Sequence, residues 1–102
     1  MPSARPDSRH VYHIYAVRTD DRAALQKQLQ FEGVQTGLHY PIPVHLQRAH
    51  ADLGYRAGDF PQSERAAREV LSLPMYPEMT SEQVDAVAAA VGRHAGKRVR
   101  VA

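Results

Sequence analysis

Pro41 and Pro43, standing either side of Ile42, constrain the fold of this chain more than any other feature of its sequence. Each proline fixes its own φ, removes a backbone donor, and pushes the residue before it (Tyr40 and Ile42) into extended geometry. Neither a helix nor a central strand runs through such a segment. The chain is therefore divided into two structured stretches by a stiff loop, HYPIP at residues 39–43. A loop already stiff holds its side chains in place at little further entropic cost.

Before the loop, VYHIYAVR at residues 11–18 is rich in β-branched and aromatic residues, with both alternating faces largely apolar. It reads as a strand covered on both sides. Thr19 or Asp20 is placed to cap a helix through AALQKQLQF, with Leu25, Leu29 and Phe31 as its apolar positions and Gly33 as its stop. Residues 34–38 read as a short extended segment. After the loop, residues 45–53 read as one short helix ending at Gly54. Asp59 then opens another helix with Pro61 in its first turn and an inner stripe of Phe60, Ala67, Val70 and Leu71. Residues 71–73 read as a buried strand. Thr80 and Gln83 form a capping box, with Met79 and Val84 as its staple, for a last helix whose apolar face is Val84, Val87, Ala88 and Val91. The expected fold is α+β, a small antiparallel or mixed sheet with helices packed on it. Residues 1–10 are expected to be a flexible arm, 11–92 the folded domain, and 93–102 a flexible basic tail.

Size and charge narrow the function. A chain of 102 residues builds one small core and not a two-domain enzyme. Thirteen Lys and Arg against eleven Asp and Glu give +2, but the excess sits at the ends. Residues 11–92 hold seven bases and ten acids, a net −3. A nucleic-acid binder carries its positive field on the folded surface, so none is expected as a partner. No run is long and apolar enough to span a bilayer, so no membrane is expected either. The absence of cysteine and of an apolar leader points to the cytoplasm.

Six histidines are the most visible reactive groups. His39 and His45 flank YPIP, and His13 falls within the first strand. Their spacing matches no compact zinc motif, and no carboxylate lies between residues 38 and 51 to complete one. They read either as structural histidines bonded to backbone groups or as a polar pocket wall in which His39, Tyr40 and His45 meet an oxygen-rich ligand. No nucleophile elbow or phosphate loop is present, and neither lysine, Lys27 or Lys97, has a setting that would lower its pKa for Schiff-base chemistry. The residues alone leave two classes open: part of an enzyme, or a binding or interaction domain.

Three runs, TGLHYPIPVHLQ, LGYRAGDFP and LSLPMYP, stand in an order that resembles the C-terminal domain of the DegT/DnrJ/EryC1/StrS sugar aminotransferases. VYHIYAVR resembles the stretch just before it, so the likeness covers residues 11 to about 91. His50 departs from it, standing where the family carries Tyr or Phe. The resemblance implies the small domain of a fold-type I enzyme, usually a homodimer, that uses pyridoxal phosphate to aminate a keto sugar, commonly nucleotide-linked. It implies that the Schiff-base lysine and most cofactor contacts belong to a large domain outside this chain. No catalytic or cofactor-binding residue is then expected here, and the chain alone is expected to be inactive. The matching substrate-binding positions are His39, Tyr40 and His45, with His13 and Tyr15 from the strand. The expected partners are the nucleotide-linked sugar, a second copy, or the large domain. The alternative is a stand-alone domain of that descent that binds sugar nucleotides or another protein.

Overall fold

A computed structural model describes residues 5–94 and 99–101. The elements are β1 (Tyr15–Arg18), α1 (Arg22–Phe31), two short 3₁₀ segments (Val44–Leu46 and Arg48–Leu53), α2 (Pro61–Glu69), β2 (Val70–Leu73), α3 (Ser81–His94) and β3 (Arg100–Val101). Among the described residues the strands form one antiparallel sheet in the order β2–β1–β3. The expected α+β class and antiparallel sheet are what the chain adopts.

Register decides what each face does. Tyr15 stands opposite Leu73 and Val17 opposite Leu71, while Ala16 faces Ser72 and Arg18 faces Val70. Because side chains alternate, Tyr15, Val17, Leu71 and Leu73 share one face and Ala16, Arg18, Val70 and Ser72 the other. The first face is the core: Val17 and Leu71 pack with Leu25 and Leu29 of α1 and Ala90 of α3, and Val34 and Leu38 close its margin. Fully burying such aliphatic side chains contributes about 1.5–3 kcal/mol each.

Several boundaries differ from the sequence reading for local reasons. β1 starts at Tyr15 rather than at residue 11. The cap of α1 is Asp21, whose carboxylate accepts the Ala24 amide at 3.0 Å, and not Thr19 or Asp20. Thr19 is buried instead, its amide donating to the Glu69 carbonyl at 3.1 Å. Gly33, with φ of 78°, does end the helix. The amide of Val34 then reaches the Leu29 carbonyl at 2.8 Å, the Schellman closure that a left-handed residue permits. Phe31 lies outside the core, 93% exposed.

The expected helix over 45–53 is two 3₁₀ segments, because Gln47 is extended (φ −71°, ψ 143°) and His50 leaves helical geometry. Phe60 sits at the N-cap of α2 and outside its buried stripe, and the Asp59 carboxylate accepts the Arg56 amide at 2.8 Å. At α3 the capping box forms as read: Thr80 Oγ1 accepts the Gln83 amide at 3.2 Å, and Gln83 Oε1 accepts the Thr80 amide at 3.0 Å. Its buried residue is Ala90, whereas Val84 and Ala88 are exposed. The helix also runs past Gly92. Arg93 and His94, read as tail, end α3 and pair with Glu32 after α1, and Arg100–Val101 add an edge strand to β1. The rest of the expected tail, 95–98 and 102, and the first four residues of the expected arm lie outside the described residues.

Candidate functional site

The site is built on the sheet face away from the core. The amide of Gly37 donates to the Ser72 carbonyl at 3.0 Å, and the Ser72 amide donates back to Gly37 at 2.9 Å. This single bridge lays the chain along β2 just before the proline loop. Two residues later His39 places Nδ1 3.0 Å from the hydroxyl of Ser72, which is 4% exposed. Gly37 is needed for that approach, because a Cβ there would stand 2.7 Å from His39 Cε1. Tyr40 sets its ring edge-on to His39 at 5.6 Å and is 68% exposed. His39 and Tyr40 thus stand at the surface on a loop stiffened from one side by prolines and anchored from the other by the sheet.

His45 is turned inward. Its Nε2 lies 3.2 Å from Glu64 Oε1, and both side chains are largely buried. Its ring packs edge-on against Phe60 at 4.8 Å and Tyr55 at 6.5 Å. The same Glu64 oxygen accepts the amides of Gly58 at 2.8 Å and Phe60 at 3.4 Å. The Gly58 amide foremost, with His45 and the Phe60 amide, holds the Glu64 carboxyl below its usual range against the opposing effect of burial. One carboxylate thereby ties the 3₁₀ segment at Val44–Leu46 to the start of α2.

His13 and Tyr15 belong to another place. His13 is exposed in the bend before β1. Tyr15 lies on the core face, its ring 5.9 Å from that of Tyr12, where the two tyrosines edge an apolar groove of about 360 Å³ closed by Leu73, Met75, Met79 and Val84. The five residues read as substrate-binding therefore separate into three groups. His39 and Tyr40 stand together, His45 sits in its own aromatic nest, and Tyr15 edges the groove on the opposite face with His13 exposed two residues before it. Sequence reading missed Ser72 and Glu64, whose partners are 33 and 19 residues away. The only available signal for Ser72 was a hydroxyl at a strand position between two leucines.

Pyridoxal phosphate needs an enclosed lysine and donors around its phosphate. Lys27 is exposed on α1, and the groove is lined by apolar and aromatic side chains. The described residues alone do not fit the cofactor. Among them no three His, Asp or Glu side chains converge as a metal site.

A sequence model of the DegT/DnrJ/EryC1/StrS aminotransferase family matches residues 1–92. A pleiotropic regulatory protein of Geobacillus stearothermophilus is 49% identical over 74 residues, 72% of this chain and 20% of its own length. The dTDP-3-amino-3,6-dideoxy-alpha-D-galactopyranose transaminase of Aneurinibacillus thermoaerophilus is 40% identical over 94 residues, 92% of this chain and 25% of its own. The crystal structure of DesV from S. venezuelae superposes with a TM-score of 0.85 at 40% identity, covering 94% of this chain and 26% of that one. The chain thus spans between a fifth and about a quarter of the length of the relatives it matches. With motifs, fold and sequence in agreement, the chain belongs to the DegT/DnrJ/EryC1/StrS aminotransferase family.

Proposed function

We propose that this chain is the C-terminal, substrate-closing domain of a pyridoxal-phosphate-dependent aminotransferase acting on nucleotide-linked keto sugars. The observation that carries the reading is the anchored His39 beside exposed Tyr40, two polar groups held outward on a loop with little freedom left to lose. The relative named above as a dTDP-amino-sugar transaminase supports the substrate class. In this reading His39 and Tyr40 orient the sugar nucleotide, and His45 holds the loop that carries them. His13 and Tyr15 lie where the domain meets the rest of the enzyme. The exposed apolar side chains around the groove, Tyr12, Met75 and Val84, suit a surface covered by a larger domain.

The cofactor would supply the electron sink for amino transfer, and its lysine would come from the large domain. The 102 residues alone are therefore inactive. Two measurements test this. Pyridoxal phosphate added to the isolated chain should give no saturable absorbance change that depends on Lys27 or Lys97. The full chain, replacing the matching quarter of DesV, should give a folded protein that aminates a nucleotide keto sugar. A lysine-dependent band with turnover in the isolated chain, or a folded chimera without amination, overturns the reading.

A further inference from the structure

The bond between His39 and Ser72 has a direction, and the direction decides what His39 offers to a ligand. A serine hydroxyl is one donor and an acceptor, whereas a neutral imidazole has one nitrogen that donates and one that accepts. Ser72 is 4% exposed, and its backbone amide and carbonyl are both taken by Gly37. Among the described residues its hydroxyl has one hydrogen-bond partner, His39 Nδ1 at 3.0 Å. Were Nδ1–H to donate, the Ser72 proton would be left buried without an acceptor, which costs about 1–3 kcal/mol. Were Ser72 to donate, no buried donor is left over.

We infer that Ser72 is the positioning residue of this site: its hydroxyl donates to His39 Nδ1 and fixes His39 as the tautomer whose Nε2–H is free to donate. A ring so held offers one outward donor, suited to an oxygen acceptor such as a phosphate or sugar oxygen, and no outward base. It cannot take a proton at Nδ1 without reversing the Ser72 bond. The place of this donor at the substrate rests on the proposed function; the Ser72–His39 assignment does not.

The test is nitrogen-15 NMR of the histidine rings in the full 102-residue chain at a pH where they are neutral. His39 should show the Nε2–H pattern, with Nδ1 displaced as for a nitrogen that accepts a hydrogen bond. In Ser72→Ala that displacement should be lost, and in Ser72→Thr, which keeps the hydroxyl, it should be retained. Main-chain amide shifts of β1 and β2 report whether each variant keeps the fold. An Nδ1–H pattern in the native chain, or an Nδ1 signal indifferent to Ser72→Ala in a folded variant, overturns the assignment. Thymidine diphosphate glucose is then titrated into the native chain and the DesV chimera. A shift of His39 Nε2–H in either supports the donor role. No shift in both, with the tautomer as stated, removes His39 from the substrate and leaves the Ser72 assignment standing.

Discussion

His45 Nε2 and Glu64 Oε1 lie 3.2 Å apart, and the same carboxylate oxygen also accepts the amides of Gly58 and Phe60. Residues 44–60 contain no long helix or strand, so this shared acceptor supplies much of what orders them. Glu64→Ala should speed hydrogen exchange at the Gly58 and Phe60 amides by at least about 10-fold, a typical worth of a charge-assisted bond. Exchange in β1 and β2 should stay unchanged. Equal acceleration everywhere would show that Glu64 supports the whole fold and not this segment.

Acid should destabilise the domain. Glu64, held down first by the Gly58 amide, and Glu69, held down by Arg65 and then Arg18, both have folded pKa values below the ordinary 4.5. A carboxyl lowered on folding contributes stability that is complete above its unfolded value and is lost as pH falls through its folded value. The melting temperature should therefore be flat near neutrality and drop below about pH 4.5. Glu69→Gln should lower it at pH 7 and flatten the acid slope; a slope equal to that of the native chain would remove Glu69 from the cause.

Gly37→Ala separates the site from the fold. The added Cβ meets only the end of the His39 ring, at 2.7 Å from Cε1, and that side chain is able to swing away. Stability should fall by about 1–3 kcal/mol, the cost of leaving the buried Ser72 hydroxyl without its acceptor, offset in part because the alanine also restricts the unfolded chain. The nuclear Overhauser contacts between His39 and Ser72 should vanish. Their survival would place the ring elsewhere.

Leu71→Ala and Phe31→Ala contrast a core with a surface position. Leu71 is fully buried between the sheet and α1, and its truncation should cost about 2–5 kcal/mol in denaturant melts. Phe31 is 93% exposed, standing two residues beyond Leu29 and so about 200° round α1 from the buried stripe, and its loss should stay within about 0.5 kcal/mol. A large cost at Phe31 would mean that a partner or a second copy covers it.

These positions also show what the sequence makes legible. The capping box at Thr80 and Gln83, the glycine stop at Gly33 and the strand around Leu71 depend on neighbours a few residues away, and all three are formed. The break at Gln47 and His50 was illegible, because no proline or glycine marks it. The cap of α1 falls at Asp21 rather than Thr19 or Asp20 because all three are competent and local sequence does not rank them; the Thr19 amide is engaged by the Glu69 carbonyl, and the Ala24 amide goes to Asp21. The loop bearing His39 and Tyr40 was visible through its prolines. Its anchor at Ser72 was not, since the sheet register that brings them together is set by non-local pairing.

The most direct measurement is kcat/KM for amination of a nucleotide keto sugar by the DesV chimera carrying the full chain, with His39 and with His39→Ala. Loss of a hydrogen bond to a charged or strongly polar substrate group corresponds to a fall of about 10- to 100-fold. A fall of that size, with circular dichroism and cofactor loading unchanged, is the result expected for a domain that closes over its substrate through His39. Equal kcat/KM for the two proteins would contradict it.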